Sequence, residues 1–356
     1  MTNNSFKLGC SAALSGCEEK HGQAMLKSVE LAVEEAKSSG LLYNLELAFH
    51  DDAGDTEQGI AVAKKLIADP EVMGVVGPMN SNPAIGAAPL YDQAGLVHIT
   101  NSASNVALSE QGYKTFFRMI ANDYVQSDAL VDFMVNHLKA KEIAVINDDT
   151  DFSSGLGSLV KEKAASADLK VTNHIQVTCG KGDYSLKLSP LKASRPGVIF
   201  FAILEPEGRL ISNQLREFGN RSVFLGTDAL KPSKFLVTSG FDVPGPYHSC
   251  ASTDIARDPA ATDFASAYEN KYGEKYSIYT AEAYDAANII IRAINNCQNV
   301  SREEVLKQVS ETINFYGASG ETSFTDCGEL AHPRISFYNY ENGDLNFIGF
   351  FEQNKQ

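Results

Sequence analysis

Short apolar runs that end in small polar residues recur along this chain, each followed by a stretch with apolar residues at helical spacing. Phe6 to Cys10, Leu45 to Phe49, Val72 to Val76, Leu96 to Ile99 and Phe116 to Ile120 read as strands. Between them, Gly22 to Ser38 places Met25, Val29, Leu31, Ala32 and Ala36 at helical spacing, Glu57 to Ala68 does so with Ile60, Ala63, Leu66 and Ile67, and Pro83 to Ala94 reads as a third helix. Asp55 is the expected N-cap of the second helix, with Gln58 three residues on as in a capping box. A helix from Asp123 or Tyr124 to Leu138 follows, and a second series begins. Its strands are Ile143 to Ile146, Val171 to Val177, Val198 to Ala202 and Val223 to Leu225; its helices are Ser153 to Ala167, Ser185 to Ala193 and Glu207 to Phe218. An unbroken apolar run such as Val198-Ile199-Phe200-Phe201 suits a parallel strand buried on both faces. Pro259 to Tyr272, Ala281 to Asn296 and Arg302 to Ser310 are further helices, and the end from Glu321 reads as strands with a turn at Asn342-Gly343. No low-complexity linker separates the two series, so the chain is expected to cross between two doubly wound α/β lobes more than once.

The richest chemistry lies in two loops. Gly77-Pro78-Met79-Asn80-Ser81-Asn82-Pro83 follows one strand, and Asn101-Ser102-Ala103-Ser104-Asn105 follows the next. In an open α/β sheet, ligands sit at the carboxyl ends of strands, where free backbone N–H groups and helix N-termini face outward. Two adjacent strand ends thus present hydroxyl and amide groups together, and a carboxylate is the natural guest. Ordinary N-capping is the competing role for Ser81 and Ser104. For Asp228, after Gly226-Thr227, a turn or cap role competes equally with ligand binding.

Composition narrows the partner. At 356 residues the chain exceeds the size at which a single core keeps growing, so two domains are expected. A net charge of −15 with no basic cluster argues against nucleic acid and anionic membrane surfaces, and a small molecule is the better partner. No window of about 18 uncharged apolar residues reads as a membrane span. Met1 to Lys7 has no apolar core of a signal peptide, which leaves a cytoplasmic protein or one whose signal has been replaced by an initiator Met. The six cysteines, Cys10, Cys17, Cys179, Cys250, Cys297 and Cys327, show no spacing for structural zinc, and their count decides neither pairing nor compartment.

Further marks extend over the whole length: Ser15-Gly16 with His21-Gly22, Asp51-Asp52 with Gln58 and Ala61, Asn147-Asp148 with Phe152, Leu225-Gly226-Thr227-Asp228, Tyr279 to Ala287, and Gly320 to Leu330. In this order they resemble a type I periplasmic binding protein, and most the leucine/isoleucine/valine-binding branch that serves ABC importers. The resemblance implies two Rossmann-like lobes joined by three crossovers, near Ile120 to Asn122, Ala251 to Asp254 and Ala331 to Arg334. Lobe one is then 1–120 with 254–331 and lobe two 121–253 with 332–356, and a cleft between them closes on an α-amino acid. It gives Ser81 and Ser104 the ligand's carboxylate and amino groups, Ser102 a backbone contact, and Asp228 the ligand ammonium. Phe152 and Tyr279 become aromatic walls, His21 the rim, and Asp123 a position at the start of lobe two near the cleft. Met79, Asn80 and Leu204 complete the lining, Leu204 standing where the family has a tyrosine. Gly54 and Asn80 occupy positions where some relatives bridge two cysteines. An acid facing an open cleft would lack a partner, so replacing Asp228 is expected to leave the unliganded protein's stability unchanged.

The resemblance further implies an extracytoplasmic monomer that hands its ligand to a permease, with no cofactor, metal or catalysis. The enzyme fingerprints G-x-G-x-x-G, G-x-x-x-x-G-K-[ST] and G-x-S-x-G are all absent. A ligand-sensing module of the same fold, or a binder of an aromatic acid or amide, stays open on the sequence.

Overall fold

A computed structural model describes residues 5–41, 43–204, 207–230, 246–341 and 344–352; the expected turn at Asn342-Gly343 lies outside the described residues. The strands in chain order are β1 (Ser5–Ala12), β2 (Asn44–Asp51), β3 (Val72–Val76), β4 (His98–Thr100), β5 (Phe116–Arg118), β6 (Glu142–Asn147), β7 (Lys170–Gln176), β8 (Val198–Ala202), β9 (Val223–Gly226), β10 (Tyr247–Cys250), β11 (Phe315–Gly317), β12 (Gly320–Thr322), β13 (Arg334–Glu341) and β14 (Asp344–Glu352). The chain divides into two compact units, residues 1–121 with 252–332 and residues 122–251 with 333–356. It therefore passes from one to the other three times, after Ala121, Ala251 and His332.

Each unit is doubly wound. Unit one has the parallel order β2-β1-β3-β4-β5. Unit two repeats that order as β7-β6-β8-β9-β10 and extends it with antiparallel β13 and β14. In this order the switch point lies between the first and third strands of the series, and ligands bind outside the carboxyl ends there. In unit one the helices Glu19–Ser38 and Thr280–Asn296 cover one sheet face, and Thr56–Ala68 with Ser81–Gln93 the other. Leu8, Val76, Ile99 and Ile290 are fully buried in the first layer, each contributing about 1.5–3 kcal/mol of transfer free energy. Among the described residues no helix is long and apolar enough to cross a membrane.

Local details depart from the sequence reading where tertiary contacts intervene. The helix expected over Ser185 to Ala193 is two short ones, Ser185–Leu188 and Pro190–Ser194, because Pro190 has no N–H to continue the first. The helix after Asn122 is α-helical only over Asp123–Asp132 and then takes a π turn, Phe133–His137. That turn stacks Phe133 on Phe337, ring centroids 4.2 Å apart, a contact no local pattern encodes.

His98 in β4 is fully buried between Tyr91 and Phe116, and neither ring nitrogen has a hydrogen-bond partner. Burial pulls its pKa down from the usual 6.5 to about 3. The unfolded chain then takes up the proton first, so stability is held above pH 6.5 and lost as pH falls toward 3. Relative to His98→Phe, the wild type should lose about 1.4 kcal/mol per pH unit between pH 6 and 4. Urea unfolding of both proteins at several pH values checks this; parallel stability curves would refute it.

Candidate functional site

The two loops singled out above leave β3 and β4 side by side in unit one and are stitched together. Thr100 Oγ1 donates to the Pro78 carbonyl at 2.7 Å and accepts from the Ala103 N–H at 3.0 Å. Ser102 Oγ donates to the Met79 carbonyl at 2.8 Å. Gly77, at φ +103° before a cis peptide to Pro78, brings the first loop against β1; a Cβ there would lie 2.1 Å from the Ser11 carbonyl oxygen. From beneath, the fully buried Arg118 guanidinium donates to the carbonyls of Ala103 at 2.9 Å and Asn105 at 3.2 Å, the two residues flanking Ser104. Its other end pairs with Glu329 at 2.8 Å.

On this frame, Ser81 is 3% and Ser104 2% exposed, and neither hydroxyl bonds to a described residue. Neither serine is an N-cap. Asn80 caps the helix Ser81–Gln93 by backbone conformation, and Val106 precedes the short helix Ala107–Glu110. Two hydroxyls free of protein partners at neighbouring strand ends leave donor and acceptor capacity for a guest. Ser102 differs, because its own hydroxyl is used in holding the loops. Asn80 turns its Oδ1, buried and without a donor, toward Gly54. Met79 is 4% exposed and belongs to the apolar core with Leu8, Cys10 and Met25. The lining role expected of its side chain is corrected accordingly; its carbonyl serves the loop.

Tyr279 also belongs to unit one. It stands before the helix Thr280–Asn296 in the left-handed region, φ +63°, half-buried, with its carbonyl accepting from Asn101 Nδ2 at 3.2 Å. Asn101 Oδ1 is buried without a donor. His21 meets Ser277 Oγ at 3.1 Å, and burial, with Lys20 nearby, holds its pKa below the usual value. The Asp51-Asp52 pair braces the loop after β1. Asp51 Oδ1 accepts from Leu14 and Ala53, and Asp52 from Ser11 Oγ.

Unit two presents the remaining residues at the carboxyl ends of its own strands. Asp148 staples the loops after β6 and β8: Oδ1 accepts from Thr150, and Oδ2 from the Leu204 N–H at 3.1 Å. Phe152, in the first turn of the helix Asp151–Ser166, is half-buried. Leu204 is half-buried as well. Asp228 is 2% exposed, and its Oδ2 accepts from the Ala251 N–H at 2.8 Å, so the acid expected to lack a partner has one. Beside it, Thr227 Oγ1 is buried without a partner. Asp123 is fully buried, with Oδ1 3.4 Å from Gln126 Nε2. Asp148, Asp149 and Cys179 lie close enough to share a metal ion, but both Asp148 oxygens are engaged by the loop, and partial desolvation together with the neighbouring acids Asp148, Glu207 and Asp149 pushes the pKa of the Cys179 thiol up to about 12.

The sequence assigns no role to Arg118, Ser252 or Glu282, and Asp148 enters only as part of the mark Asn147-Asp148. An arginine inside the apolar run Phe116 to Ile120 was the available signal for the first; the others act on residues distant in the chain.

Comparison with known proteins places this geometry. The profile of the family described as Periplasmic binding protein matches residues 5–344. A Leu/Ile/Val-binding protein homolog 1 of Brucella abortus is 28% identical over 348 residues, 97% of this chain and 93% of that one. The branched-chain amino acid transporter substrate binding protein LivJ of Streptococcus pneumoniae, solved with isoleucine, superposes with a TM-score of 0.87 at 23% identity, covering 98% of this chain and 99% of that one. A solute binding protein of an ABC transporter from Rhodopseudomonas palustris, solved with 3,4-dihydroxybenzoic acid, reaches 0.84 at 18% identity, covering 99% and 98%.

Proposed function

This chain belongs to the periplasmic binding protein family, and from that premise we propose that it captures a small zwitterionic α-amino acid with an apolar or modestly polar side chain, outside the cytoplasm, for delivery to an ABC permease. The observation that carries this reading is the pair of serines Ser81 and Ser104 on two stitched strand-end loops, nearly buried as residues, with hydroxyls that bond to no described residue. They take the carboxylate with help from backbone N–H groups. Asp228 takes the ammonium, each charge-assisted bond contributing about 1.5–3 kcal/mol. Phe152, Leu204 and Tyr279 line the side chain, His21 the rim, with Asn80 and Asp123 at the margins of the site and Ser102 holding its loop in place.

An aromatic acid is the second reading, favoured by the relative solved with 3,4-dihydroxybenzoic acid. Both ligand classes bring a carboxylate, so the serines do not separate them. Asp228 does, because a ligand with no cation would leave that buried acid opposite a second negative charge. A thermal-shift screen over the common amino acids and simple aromatic acids tests the proposal. Stabilisation by aliphatic amino acids is the expected result, and stabilisation only by acids lacking an amine would sink it.

A further inference from the structure

Tyr279 keeps a backbone conformation that a residue with a Cβ rarely adopts, φ +63° and ψ 6°. Such a conformation persists only where the surroundings hold it, and it is common at ligand clamps. Three hydrogen bonds to its backbone hold it here, one of them from the Ala283 N–H in the first helical turn to its carbonyl at 3.1 Å. The carbonyl accepts from Asn101 as described, and the N–H donates to Ser252 Oγ at 3.1 Å. Ser252 is the first residue of unit one after the chain returns from unit two. Its Oγ lies 3.3 Å from Glu282 Oε2, and Glu282 Oε1 accepts from the Thr253 N–H at 2.6 Å.

We propose that Ser252 and Glu282 are positioning residues for Tyr279, and that the proton on the Glu282 carboxyl sets how firmly the Tyr279 backbone is held. The geometry supplies both states. When Glu282 is ionised, the Ser252 hydroxyl donates to Oε2, and its polarised oxygen becomes a stronger acceptor for the Tyr279 N–H. When Glu282 takes a proton from solvent, Oε2–H donates to Ser252 Oγ, and the serine proton turns to the Thr253 carbonyl, 3.4 Å away. The chain of donation is reversed and the Tyr279 bond weakens.

Glu282 is 1% exposed, and burial raises its pKa to about 7, Asp285 adding to the effect. Asp285, one helical turn on, binds Ala318 N–H, Ser319 N–H and Ser319 Oγ, and burial raises it to about 6. Gly317 is required beside it, since a Cβ there would lie 2.3 Å from Asp285 Oδ1. The loop 317–319 adds no titratable group, and Thr253 Oγ1 ties it to the Glu282 side by donating to the Ser319 carbonyl at 3.0 Å. In the segment after Ser252, Asp254 faces Arg257 at 3.8 Å. Of the neighbouring helix Glu19–Ser38, Glu35 is engaged by Tyr284, and His98 of β4 stays neutral. Glu282 therefore titrates after Asp285, near neutral pH.

The binding consequence rests on the proposed function; the positioning does not. Backbone amide NMR of the full chain from pH 5.5 to 8.5 reads the positioning without ligand. The Tyr279 and Thr253 amide shifts should titrate together with a midpoint near 7, and both should flatten in Glu282→Gln. In Ser252→Ala the Thr253 amide should keep its titration while that of Tyr279 loses it, and this variant carries the test should Glu282→Gln fail to fold. A pH-invariant Tyr279 amide in the wild type, or an unchanged Tyr279 titration in Ser252→Ala, overturns the proposal. With leucine as the probe, affinity should weaken about 2- to 10-fold from pH 8 to pH 6 in the wild type, the worth of one altered hydrogen bond, and under 2-fold in Glu282→Gln. Equal ratios in the two proteins also overturn it. A protein that binds no leucine counts against the amino-acid reading alone, and the amide titration then decides the inference.

Discussion

Arg118→Met should lose about 3–5 kcal/mol of folding stability, the range for breaking a buried ion pair from one side. The substitution keeps the volume but strands Glu329, whose side chain is 13% exposed, and removes the donors to the Ala103 and Asn105 carbonyls. Because those carbonyls flank Ser104, the loop should loosen at the site as well as in the core. Urea unfolding at pH 7 gives the number; a loss under about 1 kcal/mol would mean that water or neighbouring groups replace the guanidinium, contrary to its complete burial.

Asp228→Ala should cost an amino-acid ligand about 2–5 kcal/mol, on the order of 30-fold to several thousandfold in Kd, because the ammonium is left buried opposite nothing. The free protein should also lose about 1–3 kcal/mol, since the Ala251 N–H is orphaned. Asp228→Asn separates the two roles: its amide oxygen still accepts from Ala251, so most of the stability returns while the charge pairing does not. Ser81→Ala should cost binding only about 0.5–1.5 kcal/mol, because the backbone donors left in the loop make up part of the lost bond to the carboxylate. Calorimetry orders the three variants. An affinity of Asp228→Ala within about twofold of wild type would remove Asp228 from the site.

What could be read from the sequence follows the range of the interactions. The paired loops were legible because an apolar run that breaks into serine and asparagine marks a strand end by itself, and two in succession make an edge. The repeated crossings were legible because no linker interrupts the second series of strands and helices. Met79 looked like part of a polar loop, yet its side chain turns into the core, which only the cross-strand packing decides. Asp228 finds its partner 23 residues later, at Ala251, and Glu282 finds Ser252 and Thr253 some 30 residues earlier. Nothing local announces such pairs. The use of the Ser102 hydroxyl against Met79 likewise depends on the register of two neighbouring strands, and residue type gives no hint of it.

The central claim is that the site reads a carboxylate and an ammonium together. Titration calorimetry of the wild type with leucine and with 4-methylpentanoate, the same skeleton lacking the amine, tests it most directly. The account predicts saturable one-to-one binding of leucine and at least about 30-fold weaker binding of the deaminated acid, the lower bound for losing a buried charge partner. Equal or tighter binding of 4-methylpentanoate would contradict it.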